Sequence, residues 1–78
     1  MRPNCECCDV DIHPEDTRVF ICSFECTWCA ECVATFAGRR CPNCGGTLTP
    51  RPTRSAAARA TSPVSTVRVH NPDCLGAR

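Results

Sequence analysis

The sequence predicts a small metal-stabilised α+β domain followed by an irregular basic tail, and three observations lead there. Ten of the 78 residues are cysteine, and eight of these fall into four closely spaced pairs. Without cysteine only 23 apolar residues remain, eight of them alanine. A chain of this length rarely gains more than ~3–5 kcal/mol from a single hydrophobic core, so a cross-link is expected. Third, the composition changes near Leu48: nine cysteines, all three Phe and the single Trp precede it, and a stretch rich in Pro, Arg, Ala, Ser and Thr follows. We therefore read a head over residues 1–48 and a mostly disordered tail over residues 49–78, because the tail buries too little to offset its ordering entropy.

Several function classes drop out at once. Apart from cysteine-containing runs, the longest apolar stretches are Val19-Phe20-Ile21 and Ala56-Ala57-Ala58, against the ~20 residues of a membrane span. Met1-Arg2-Pro3-Asn4-Cys5 carries no apolar signal core, so the expected compartment is the cytoplasm, where short regular thiol spacings read as metal ligands rather than disulfides. Charge is divided between the halves. Residues 1–44 hold four Arg against seven Asp or Glu, and residues 45–78 hold five Arg against one Asp. Four thiolates around one divalent ion add about −2 per site, which makes the head more acidic still.

Within the head, the β-branched and aromatic run Arg18-Val19-Phe20-Ile21 predicts a short strand leading into Cys22. Ala30 to Ala37 suits a two-turn helix with Val33, Phe36 and Ala37 on one face and Gly38 as terminator. Gly45 to Thr49 predicts a last extended segment, and Asp9 to Thr17 a solvated loop. Phe20, Phe24, Trp28, Val33 and Phe36 are the expected core. In the tail, Ala56 to Ala60 suits a helical turn, and Val64, Val67 and Val69 a short strand.

The chemistry lies in the cysteine pairs. Cys5 and Cys8, Cys29 and Cys32, and Cys41 and Cys44 are each separated by two residues, and Cys22 and Cys26 by three. A two-residue spacing turns both sulfurs onto one metal and aims backbone N–H groups at thiolates that would otherwise repel each other. Pro42 presets the turn in Cys41-Pro42-Asn43-Cys44-Gly45, and Gly45 supplies the positive φ needed past the second sulfur. Asp9 takes that place after Cys8 as a tolerable substitute. Four pairs make two tetrahedral sites of four cysteines each, with Zn2+ as the expected metal, two per chain, and iron or disulfides as alternatives. Four sulfurs close the coordination sphere, so the metal is expected to be structural. Spacing alone leaves interleaved and sequential pairing open, although the two residues between Cys26 and Cys29 would crowd sequential sites.

Taken in order, these pairs resemble the RING family, including the ending Cys41-Pro42-Asn43-Cys44 and an aromatic, Trp28, before the fifth ligand. That resemblance implies a RING-like, treble-clef zinc finger with a short hairpin, one short helix and a cross-brace. One zinc would take Cys5, Cys8, Cys29 and Cys32, and the other Cys22, Cys26, Cys41 and Cys44. It also implies that a conjugating-enzyme surface would map to Cys7, Phe36 and Pro42. Cys7 replaces the usual aliphatic residue there and Gly45 the usual basic one, so ligase activity is not expected. Read whole, Arg2-Pro3-Asn4-Cys5-Glu6-Cys7-Cys8-Asp9, Ile21-Cys22-Ser23-Phe24-Glu25-Cys26-Thr27 and Cys41-Pro42-Asn43-Cys44-Gly45-Gly46 look like a small bacterial cysteine-rich family of unknown function. This similarity runs from Arg2 to about Arg54 and implies a bacterial, cytoplasmic zinc protein.

The remaining candidates have plain readings. Cys7 and Cys74 are expected to be free thiols or small buried residues, and His13 and His70 solvated residues rather than ligands. Arg51, Arg54 and Arg59 are expected to keep a linker solvated. No nucleophile arrangement is assignable, because the nucleophiles are the sulfurs that the metal would hold. The sequence thus favours a non-catalytic zinc module that acts by protein–protein interaction with an unidentified protein partner. A nucleic-acid-binding zinc finger using the basic tail is disfavoured by the acidic head, and zinc or redox handling is the other alternative.

Overall fold

Val19–Ile21 forms strand β1, and Thr27–Cys29 returns beside it as β2; the structure is a computed structural model that describes residues 1–74. The two strands are antiparallel, with Val19 opposite Cys29, Phe20 opposite Trp28 and Ile21 opposite Thr27. The turn that closes this hairpin therefore carries Cys22 and Cys26. A third strand, β3 at Thr49–Pro50, lies along the other edge of β1 and gives the order β2-β1-β3. Pro50 is tolerated because β3 is an edge strand with no ladder donor required of it. The pairing continues as Arg51 N donates to Val19 O at 2.8 Å, so the head's sheet draws on residues just past 48.

The helix expected over Ala30–Ala37 is shorter. Helix α1 spans Ala30–Val33, and the chain then tightens, with Thr35 N donating to Cys32 O and Phe36 N to Val33 O. The Thr35 hydroxyl also donates to Cys32 O at 2.6 Å, which takes up the carbonyl that a further helical turn would use. A 3-10 turn follows at Ala37–Arg39, with Gly38 at φ 63°. Gly38 thus ends the helical region as expected, while Ala37 is exposed rather than on a buried face.

The small core sits under the sheet. Val19 and Trp28 are fully buried, and the Phe36 ring meets Trp28 edge to face, with centroids 5.2 Å apart, the favoured aromatic geometry. Val33 and Ile12 are also buried, and Phe20 packs partly against this cluster. Phe24 corrects the expected core: it is 72% exposed. The Cys22–Cys26 turn accounts for this, because Phe24 N donates to the Cys22 sulfur and Glu25 takes a positive φ of 64°. The loop is thereby curled around its sulfurs and Phe24 is left at its tip.

Most of the tail's described residues have no regular structure. Helix α2 spans Ala56–Thr61, and the Ser55 hydroxyl caps it by accepting from Ala58 N at 3.2 Å. The strand expected at Val64, Val67 and Val69 does not form, and Val67 is exposed. What holds the tail to the head is mostly polar. Arg68 pairs with Asp9 and Asp11, and Arg59 with Glu15. Ser65 N donates to Met1 O and Arg54 N to Pro14 O. Arg51 is not a solvated linker residue: it is buried, and its Nη1 donates to Arg2 O at 2.9 Å. Among the described residues no helix is long and apolar enough to cross a membrane.

Candidate metal centre

The first and last cysteine pairs are built on one backbone pattern. Asp9 N donates to Cys5 O at 2.8 Å and Cys5 N to Val10 O at 3.0 Å; Gly45 N donates to Cys41 O at 2.8 Å and Cys41 N to Gly46 O at 3.0 Å. A bridge follows each, Asn4 to Asp11 and Arg40 to Thr47. Asp9 and Gly45 both take the positive φ, 62° and 74°, as the residue types after each pair suggest. The other two pairs sit at opposite ends of the hairpin. Cys22 and Cys26 flank its turn, while Cys29 ends β2 as the N-cap of α1 and Cys32 lies one helical turn on.

This placement sorts the sulfurs into two clusters. Cys5, Cys8, Cys29 and Cys32 have all four Sγ atoms within 4.8 Å of one another, and so do Cys22, Cys26 and Cys41. Cys44, at the end of the Cys41 turn, stands beside the second group, but its Sγ is not within that distance of all three. The clusters interleave along the chain for a simple reason. The hairpin carries Cys22 and Cys26 at its turn and Cys29 and Cys32 at and past its other end, and the first pair reaches Cys29 and Cys32, which leaves Cys22 and Cys26 to meet Cys41.

The donor sets suit a tetrahedral thiolate metal. With metal–sulfur bonds of about 2.3 Å, tetrahedral sulfurs lie about 3.8 Å apart, and Cys8 and Cys29 are 3.8 Å apart. The thiols are poised differently. Burial pushes the Cys41 thiol up to about 12, against the pull of the Cys44 and Asn43 amides. Burial also raises Cys32, helped by its contact with Cys29. Burial acts to raise Cys5 as well, yet the amides of Cys29, Cys8 and Cys7 outweigh it and hold that thiol below its ordinary value. The Gly46 amide does the same for Cys44. Backbone amides thus favour ionisation of Cys5 and Cys44, while burial disfavours it at Cys32 and Cys41.

Glu6, which the sequence reading did not single out, joins the clusters. It lies between Cys5 and Cys7 and is fully buried. Its Oε2 accepts from Thr27 N at 2.6 Å and from Arg2 Nη1. Its Oε1 accepts from Asn43 Nδ2 at 3.1 Å. One carboxylate therefore ties the first pair to β2 and to the Cys41–Cys44 turn. Nothing in its sequence neighbourhood marks it, because an acid between cysteines is equally at home in solvent.

Cys7 and Cys74 correct another expectation. They are neither free thiols nor ligands but a disulfide, with Cα atoms 5.4 Å apart across 67 residues of chain, well inside the range that a disulfide spans. Cysteine arithmetic held the only signal: eight of ten are paired by spacing, and these two are left over. His13 and His70 belong to neither cluster. His13 Nδ1 accepts from Glu15 N, and His70 Nε2 contacts Cys7 O at 3.2 Å.

The protein-family model described as a protein of unknown function (DUF1272) matches residues 1–54. An uncharacterised protein of Rhizobium meliloti (strain 1021) is 53% identical over 72 residues, which is 92% of this chain and 86% of that protein. No solved structure matches. The cysteine-rich head and this bacterial relative agree with the similarity carried by the cysteine words, and the chain belongs to the DUF1272 family.

Proposed function

We propose that the chain is a zinc-binding, RING-like interaction module that holds two structural Zn2+ ions and performs no catalysis of its own. Cys5, Cys8, Cys29 and Cys32 hold one ion. Cys22, Cys26, Cys41 and Cys44 hold the other, with the exposed Cys44 side chain rotating to complete the set. The observation that carries this reading is the mutual approach of four sulfurs from two distant chain segments, which fills a tetrahedral shell and leaves no position for a reacting water. Two such shells make a rigid scaffold from a chain with little core, and that supports binding by shape in the cytoplasm, where a disulfide such as Cys7–Cys74 is transient rather than permanent.

The described arginines of the tail weigh against nucleic acid as the partner. Arg68 and Arg59 are engaged by acids of the head, and Arg51 and Arg54 donate to backbone carbonyls, so the tail's described arginines offer little free charge to phosphate. The test is capture by the immobilised zinc-loaded chain. A protein partner should be retained, lost when a chelator strips the metal, and regained on adding zinc. A salt-dependent shift of labelled DNA or RNA, with no metal-dependent protein partner, would contradict the reading.

A further inference from the structure

Residues 68–74 lie across the face shared by the first and last cysteine turns. Arg68 bonds Asp9 and Asp11 just after the first turn. Asn4 Nδ2 donates to Val69 O at 2.9 Å, and His70 Nε2 contacts Cys7 O. Asn71 N donates to Glu6 O at 2.7 Å, while Asn71 Nδ2 donates to Asn43 Oδ1, also at 2.7 Å. The segment ends at Cys74, 2% exposed and bonded to Cys7. Apart from that cysteine the fastening is polar: Val67 and Val69 stay exposed. Hydrogen bonds and exposed ion pairs compete with water and must also offset the entropy of ordering the segment. The covalent bond therefore decides whether the segment stays in place.

We propose that residues 68–74 form an intramolecular strap over the face between the two cysteine turns, and that Cys7 and Cys74 are a thiol–disulfide latch that covers or opens it. Of ten cysteines, eight lie in or beside the clusters and the remaining two are the ones joined. Metal-bound thiolates are spoken for, which leaves this pair for exchange. The oxidant is a small disulfide such as oxidised glutathione. One of the two thiolates attacks it and releases a first glutathione thiol; the other then attacks the mixed disulfide and releases the second. Two protein thiols become one disulfide, and both protons and both electrons end on the two glutathiones. Excess reduced glutathione runs the sequence backwards and frees the strap, which uncovers the Glu6 and Cys7 carbonyls and the Asn43 side chain.

This inference rests on the two-metal reading only in that the metal guards the other eight sulfurs, and a zinc count keeps the two apart. The full zinc-loaded chain is equilibrated with oxidised or reduced glutathione, alkylated, and mapped by mass spectrometry, with amide exchange followed at Asn71. In oxidised glutathione the chain should keep its zinc, lose two alkylatable thiols and yield a Cys7–Cys74 cross-linked peptide. The Asn71 amide should then exchange at least about tenfold more slowly than in reduced glutathione. Cys74→Ser and Cys7→Ser should both hold the zinc and show the fast exchange under either condition. Cross-links from Cys74 to any other cysteine, zinc loss that accompanies oxidation, or Asn71 exchange indifferent to Cys74→Ser would each overturn the latch. A reduced chain that never binds zinc would instead overturn the metal reading.

Discussion

The first and last cysteine turns share their hydrogen bonds to a tenth of an ångström, and each runs from a buried cysteine to an exposed one, yet what lies between differs. Glu6 and Cys7 in the first turn are buried, as is Asn4 before it, whereas Pro42 is half-buried and Asn43 and the preceding Arg40 are exposed in the last. Spacing and one positive-φ residue fix the local backbone in both. Burial is fixed by what arrives from elsewhere: β2 through Thr27, and the strap through His70, Asn71 and Cys74. The first turn is a hub on which distant segments converge, and the last is a clip fastened to it through Asn43 and Glu6.

Removing one cluster at a time separates hub from clip most sharply. Zinc contributes an apparent ~10–16 kcal/mol to the folding of small zinc-finger peptides, more than this core can supply. Cys5→Ser should lose the hub's ion and with it the circular dichroism of the head, whereas Cys44→Ser should keep one tightly held ion and part of the signal. Equal collapse in both variants would erase the distinction.

Acidity should act on hub and clip alike. Each cluster contains a thiol raised by burial, Cys32 in one and Cys41, at about 12, in the other. Metal uptake must displace those protons, so affinity rises with pH and falls as acid returns them. Each proton displaced changes the binding free energy by about 1.4 kcal/mol per pH unit. Competition titrations with a chromophoric chelator between about pH 6 and 8 should show both sites weakening toward the acid end. A pH-independent affinity at either site would contradict the thiol assignment there.

Next in size are the two ends of the Glu6–Asn43 bond. Glu6→Ala strands Thr27 N, Asn43 and the Arg2 guanidinium and should cost about 3 kcal/mol. Asn43→Ala, at the exposed end, should cost about 1 kcal/mol. Thermal melts of the zinc-loaded variants measure both, and an Asn43 effect equal to that of Glu6 would make the clip as structural as the hub. The turn residue itself compares with Asn43: Gly45→Ala should cost about 1 kcal/mol for its positive φ, and Gly45→Asp, which copies the hub, should have the smallest effect. Nothing lies close to a Cβ built at Gly45, so backbone strain alone is measured.

What the sequence made legible follows the same division. Local rules placed a strand at Arg18 to Ile21, the turns after Cys8 and Cys44, the helical start at Ala30 and the helical turn from Ala56, because each depends on a few adjacent residues. Elements set by distant partners were harder to see. Helix α1 stops early because Thr35 takes the Cys32 carbonyl, and Phe24 faces solvent because its loop curls around two sulfurs. The role of Glu6 requires Thr27 and Asn43 to arrive from 21 and 37 residues away. The Cys7–Cys74 bond spans nearly the whole chain. Periodicity cannot report such contacts, and only the count of cysteines hinted at the last.

If sulfur-held metal rather than apolar burial organises the head, native mass spectrometry of the purified reduced chain should find two zinc ions per chain, lost together with the folded charge-state distribution when a chelator is added. A chain that keeps a folded, metal-free mass, or whose cluster cysteines are joined to one another as disulfides, would contradict it.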